Sequence, residues 1–321
     1  MTTTAGIGLS PRDASLAVGV VAGLAAALFS ALSYFVSRDY SSRGGTSPRL
    51  LVLGHAVMGA VCLPVARWLW PQGVTGDPRW LLPLAGSTFC YLLGQGLVFA
   101  ALRRADASRV APLLGLKIAM LAGITAARPG GGLDASQWTA VAMSVAAATM
   151  LQRGGGVSAA ALTLTLAACL TFAVSDLFIV GLIDGLERSA DLAAAPIDRL
   201  SAGSLAMAVT YVVCGCLAVV ALLAPAARPR SRLDWTAAVT YAAMWLAGMV
   251  GLYVCFGIVG AVFGNILQST RGMIAIVIGA ALAHLGRHDL ETRIDRTTFL
   301  RRLVAATLMT AAIALSVIDL S

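Results

Sequence analysis

Three ionisable side chains fall in the middle of long apolar runs: Lys117 and Arg271, each about ten residues in, and Asp176 near the centre of a third run. A charge at the centre of a membrane span costs at least roughly 2.5–3.5 kcal/mol, so each needs a partner or a task to offset it. Lys117 is the sole lysine among 23 basic residues. It stands 154 residues before Arg271, in a run that aligns with Arg271's own at that offset. Two cations facing one cavity would hold an anionic group, arginine by its planar fork and lysine as a point charge. Asp176 would then counter one cation or carry a proton. The structural alternative is that Lys117 snorkels, or pairs with Asp176 as a buried ion pair.

Uncharged polar residues recur at helical spacing nearby. Gln268 at i−3 and Gly264 at i−7 share the face of Arg271. Ser30, Ser33, Tyr34 and Ser37 form one stripe, and Ser87, Tyr91 and Gln95 another, suited to a water-accessible cavity or to hydrogen bonds between helices. His55 lies about seven residues into its run, where it can titrate or simply bond a neighbouring helix. His284 and His288, beside Asp289 and Glu291, have a metal-ligand spacing but sit where a run passes into a charged loop, so they read as a solvated terminus. The six cysteines, Cys62, Cys90, Cys169, Cys214, Cys216 and Cys255, all lie within apolar runs; no disulfide and no metal site is expected. The pairs Gly19 with Gly23 and Gly181 with Gly185 read as close helix contacts. With no glycine-rich loop ending in Lys-Ser or Lys-Thr, ATP-driven chemistry and a bound cofactor are not expected.

The elements that must position these residues are set by composition. Of 321 residues, 59% are hydrophobic and 12% charged, with mean hydropathy +0.85. A water-soluble core cannot absorb that apolar surface, which excludes a soluble enzyme and makes lipid the solvent for most of the chain. The net charge of +8 then reads as loop arginines at anionic headgroups, with no nucleic acid partner. Apolar runs bounded by Arg, Asp, Pro and Gly fall at 15–37, 49–67, 80–102, 107–127, 136–152, 157–183, 201–224, 235–257, 261–285 and 299–318. The expected fold is an all-α integral membrane protein of ten transmembrane helices, the first a retained span rather than a cleaved signal.

Gly154–Gly156 divides the chain into residues 1–153 and 157–321, five runs each. Five is odd, so a second copy of the first half must insert upside down, as in the inverted five-helix repeats of many secondary transporters. Arginines agree. In the first half the 1–2 and 3–4 loops hold six against three in the others, and in the second half the 6–7 and 8–9 loops hold two against eight. Ser30-Ala31-Leu32-Ser33 also lies over Phe172-Ala173-Val174-Ser175. Six loop arginines on the side of the termini against fifteen opposite would place both termini away from the cytoplasm.

The stretch Phe99-Ala100-Ala101-Leu102-Arg103-Arg104-Ala105-Asp106-Ala107-Ser108, followed by Leu133-Asp134-Ala135-Ser136-Gln137-Trp138 before a short fifth run, resembles the EamA-like branch of the drug/metabolite transporter superfamily. The resemblance implies a ten-helix secondary transporter, an exporter or exchanger working by alternating access, with termini inside. The dominance of Arg and Ala suggests a GC-rich bacterial genome and so a multi-pass protein of the inner membrane, expected as a monomer or homodimer. Many members end the fourth helix on a glutamate. Here that region reads Ala126-Ala127-Arg128-Pro129, so any role of that acid does not carry over. The expected substrate is a small anionic or zwitterionic metabolite. Lys117 and Arg271 would hold the anion, with Asp176 as counterion or proton carrier and Tyr91, Gln95 and Gln268, with Ser33, Tyr34 and His55, around the polar remainder. The alternative is a lipid-phosphate handling protein or membrane enzyme, for which a single midspan acid is a poor acid–base set.

Overall fold

A computed structural model describes residues 11–102, 104, 110, 113–127, 132–152 and 158–274, with scattered residues from 277 to 315. Among the described residues every regular element is helical. The helices are α1 (Pro11–Ser42), α2 (Ser47–Leu69), α3 (Pro78–Leu102), α4 (Lys117–Ala126), α5 (Ala135–Gln152), α6 (Ala159–Leu192), α7 (Arg199–Ala221) and α8 (Arg232–Ser269). Among the described residues six helical stretches are long and apolar enough to cross a membrane: Ser15–Ser42, Ser47–Leu69, Pro78–Ala101, Ala159–Leu192, Arg199–Ala221 and Arg232–Ile274. The chain is an integral multi-pass membrane protein.

Two helices outrun the apolar runs that announce them. α1 continues past residue 37 to Ser42, and α6 past residue 183 to Leu192. Hydropathy marks where lipid ends, whereas a helix ends where its backbone is stopped. The stops are Gly44, at φ 83, and Ala194, at φ 55. Polar residues such as Asp39 and Glu187 lie in these last turns, past the ends of the apolar runs. The fourth run departs from expectation in another way: it is not one continuous α-helix. Leu114–Leu116 form a 3-10 turn, and the α-helix begins at Lys117. Gly115 lies within that turn.

The stretch Arg232–Ile274 holds 43 residues, about 64 Å as a straight helix at 1.5 Å per residue, twice the thickness of a hydrocarbon core. It is not straight. Gly260 breaks it at φ 79, ψ 168, a conformation that L side chains rarely adopt. Gly23 of α1 lies against both Cys255 and Leu267, twelve residues apart, and Gly264 lies against Phe256. Those contacts require the chain to fold back at Gly260. The apolar runs at 235–257 and 261–285 are thus separated by a turn of a few residues.

Three helix pairs dominate the packing: α1 with α8, α3 with α6, and α2 with α7. Each is antiparallel. Gly19 meets Val259 while Gly248 meets Ser30; Gly86 meets Phe178 while Gly94 meets Phe172; His55 and Gly59 meet Gly215 while Cys62 meets Met207. Exchanging helix n with helix n+5 leaves this set of pairs unchanged. Residue numbers follow the same rule. The contacts of Gly94 with Phe172 and of Gly248 with Ser30 differ by 154 and 142 residues, and Gly59 meets Gly215, 156 residues on. At that crossing a Cβ on Gly59 would lie 2.6 Å from the Gly215 Cα, so only glycine lets the backbones approach so closely. Of the expected glycine contacts, Gly19, Gly23 and Gly185 are tight, whereas Gly181 meets only Pro83, at ordinary distance.

Candidate functional site

Lys117 is the first residue of α4, directly after the 3-10 turn. Its compensation comes from α6: the Lys117 Nζ lies 2.8 Å from Asp176 Oδ2. Asn265, beyond the Gly260 turn, donates from Nδ2 to the same oxygen at 2.7 Å and to the Ala261 carbonyl at 2.8 Å. Asp176 is 4% exposed and Asn265 1%. The ion pair foreseen as the structural alternative for Lys117 is therefore present, and three helical segments meet in it. Phe172, one turn before Asp176, places its ring centroid 6.0 Å from the ammonium.

Arg271 is held differently. Its guanidinium carbon sits 5.3 Å from the centroid of the Tyr34 ring on α1, within cation–π range. Among the described residues no carboxylate lies within salt-bridge distance of it. One turn earlier, Gln268 is buried with Nε2 unpartnered, and Asn265 Oδ1 is likewise buried without a partner. Lys117, Asp176 and Arg271 together carry one net positive charge, beside a spare donor and a spare acceptor.

A cluster of rings fills the centre of the bundle. The His55 Nδ1–H donates to the Leu51 carbonyl at 2.8 Å, leaving Nε2 to accept from the Tyr91 hydroxyl at 2.9 Å. The Trp245 indole N–H donates to the Tyr211 hydroxyl at 2.7 Å. His55 stacks on Tyr211, with centroids 6.0 Å apart, and Tyr91 meets both Tyr211 and Trp245. Tyr34 reaches Trp245 edge-on at 6.4 Å, which ties the Arg271 seat to the cluster.

A cavity of about 390 Å³ opens at the end of the bundle that holds Gly260, lined in part by Thr125, Gln137, Asp184 and Phe263. It reaches inward to Leu177 and Ile266, the chain neighbours of Asp176 and Asn265. The opposite end is tied by a buried network. There the Tyr40 hydroxyl donates to Asp234 Oδ1 at 2.5 Å, Arg49 stands 3.8 Å from the same oxygen, and the backbone N–H groups of Arg230 and Ser231 donate to Oδ2.

Of the residues singled out in the sequence, Lys117 and Asp176 meet each other, Arg271 meets Tyr34, and His55 meets Tyr91. Gln268 stands one turn from Arg271, and Gln95 is buried on α3. Ser33 is also buried, but its hydroxyl donates to the Ser30 carbonyl of its own helix at 2.7 Å, so it serves α1 and not the cavity. His284, His288, Asp289 and Glu291 lie outside the described residues. Sequence reasoning missed Asn265, although Asn265, Gln268 and Arg271 recur at i, i+3, i+6. It also missed Tyr211 and Trp245, which follow His55 and Tyr91 by 156 and 154 residues.

No curated protein matches the sequence. A solved structure titled "Crystal structure of protein" matches at TM-score 0.63 and 17% identity, over 95% of this chain and 98% of that one, a likeness of fold alone. A family model, the EamA-like transporter family, matches residues 17–153, which span α1 to α5. Over that stretch the chain is similar to the EamA-like transporter family, a branch of the drug/metabolite transporter superfamily.

Proposed function

We propose that the chain is a ten-helix secondary transporter of the bacterial inner membrane. It carries a small anionic or zwitterionic metabolite, as exporter or exchanger, by alternating access between two inverted five-helix halves, residues 1–153 and 157–321, joined at Gly154–Gly156. The observation that carries this reading is the pairing of two mid-bundle cations, Lys117 and Arg271, 154 residues apart, each held by a residue of the opposite half. Support for the repeat comes from the three antiparallel helix pairs, which survive exchange of n with n+5. In such carriers the substrate binds near the midplane where the halves meet.

The anion binds at Arg271, with the free amide of Gln268 as a second donor. Tyr91, Gln95 and the surrounding rings, His55 among them, bound the space for the rest of the molecule. Asp176 carries the coupling proton: protonated, it releases Lys117 to the substrate beside Arg271; ionised, it reclaims the lysine and leaves the anion held by Arg271 alone, more weakly. The cavity beside Gly260 is the route from one membrane face, and the Tyr40–Asp234–Arg49 network closes the other. The test is uptake of labelled carboxylates and phosphate esters into proteoliposomes of the full chain. A pH gradient should drive uptake by the wild type, while Asp176→Asn should lose gradient-driven uptake and keep part of its exchange at zero gradient. Equal loss of both would reduce Asp176 to a structural ion pair.

A further inference from the structure

Lys117 and Arg271 correspond at an offset of 154, and the residues that hold them correspond too. Asp176 stands 142 residues after Tyr34, the same offset that relates Phe172 to Ser30 in the matched helix contacts Gly94 with Phe172 and Gly248 with Ser30. The contact of Lys117 with Asp176, at 2.8 Å, and that of Arg271 with the Tyr34 ring, at 5.3 Å, are therefore one contact made twice. In one copy the cation is neutralised by a carboxylate. In the other it is seated on an aromatic face.

We propose that Tyr34 is the residue that sets the charge selectivity of the site: by standing where the other half carries an acid, it keeps Arg271 positioned yet uncompensated, and so fixes a preference for a substrate with one anionic group. This rests on the transporter reading above. A tyrosine ring holds a guanidinium flat while leaving the edge of its N–H fork free to donate to a carboxylate or phosphate oxygen. The buried Gln268 Nε2, unpartnered one turn away, supplies a further donor to the same oxygen pair. An aspartate at position 34 would occupy that fork, leave the site with two internal ion pairs and no net charge, and shut an anion out. Moving the acid from one half to the other should leave the site's charge as it was, with Lys117 as the free cation.

The experiment is equilibrium binding of labelled pyruvate and of inorganic phosphate to the purified full chain in detergent. Wild type should bind one anion per chain. Tyr34→Phe should bind within about threefold of wild type, because the ring face is retained. Tyr34→Asp should lose binding by tens- to thousands-fold, and Tyr34→Asn, the same shape without the charge, far less. The exchanged variant Tyr34→Asp with Asp176→Tyr should regain binding. If Tyr34→Asp does not fold, Asp176→Asn decides, since freeing Lys117 should tighten binding of the one anion by tens-fold or more. Wild-type affinity in a folded Tyr34→Asp, no recovery in a folded exchanged variant, or unchanged affinity in Asp176→Asn would overturn the assignment to Tyr34. Binding of neither probe by wild type would instead overturn the anion-carrier reading beneath it.

Discussion

His55 on α2 and Tyr211 on α7 stack against each other 156 residues apart, and one turn further along the same two helices Gly59 and Gly215 cross at the same offset. The hydrogen bond that His55 accepts from Tyr91 matches the one that Tyr211 accepts from Trp245, and those two donors are 154 residues apart. The centre of the bundle is thus made of rings whose contacts recur at these offsets, the pattern that the proposed inverted repeat would produce.

Removing either donor tests the ring cluster. Tyr91→Phe, which keeps the ring, should lower stability by about 0.5–1.5 kcal/mol, the net worth of one hydrogen bond. Trp245→Phe should cost more, since it also removes part of a buried indole and leaves a cavity. Thermal unfolding of the two variants in detergent checks the order, and a smaller shift for Trp245→Phe would contradict it.

Crossing glycines should tolerate nothing larger. Gly59→Ala drives a methyl group into the Gly215 backbone, and overpacking of this kind costs roughly 1–3 kcal/mol. Gly96→Ala on α3 is the control. A Cβ there meets nothing within 4 Å, so the change should be neutral or stabilise the helix by about 0.5–1 kcal/mol. The same unfolding assay checks both.

Breaking the buried pair should cost more than removing it. Lys117→Gln alone leaves Asp176 buried without its cation, a loss on the order of 3–5 kcal/mol, and Asp176→Asn alone strands the lysine. Lys117→Gln combined with Asp176→Asn should recover most of that stability. If the double variant is no more stable than Lys117→Gln, Asp176 has another partner strong enough to hold it.

The network at the end opposite Gly260 converges on Asp234, so that residue should matter more than the Tyr40 hydroxyl. Tyr40→Phe removes a hydrogen bond to a charged acceptor, worth about 1.5–3 kcal/mol, while the Ser231 cap and the two backbone donors to Asp234 remain. Asp234→Asn should cost more, since Arg49 then loses its buried counterion. An effect of Tyr40→Phe larger than that of Asp234→Asn would contradict this ranking.

What the sequence disclosed follows from what hydropathy and periodicity measure. Apolar runs located the lipid-facing stretches and separated residues 257 and 261, since a membrane limits span length whatever the turn between spans. They could not place the ends of α1 and α6, because polar helix and polar loop look alike by hydropathy. Lys117, Asp176 and Arg271 were legible because charge in an apolar run is costly. Asn265 was not, since one uncharged amide costs little in composition. Its role depends on the turn at Gly260, which brings it to Asp176. Tyr34 was visible as part of a stripe, but its relation to Arg271 needed the packing of α1 against the chain beyond Gly260.

The most direct test of the account is transport of small carboxylates and phosphate esters by proteoliposomes carrying Arg271→Gln or Lys117→Gln, each first shown to be inserted and folded. Arg271→Gln should lose tens- to thousands-fold of anion transport, the loss expected when a charge-assisted contact to a bound group is removed. Lys117→Gln should lose coupling to the pH gradient along with most of its uptake. Normal transport of anions by both variants would contradict the claim that these two cations form the substrate site.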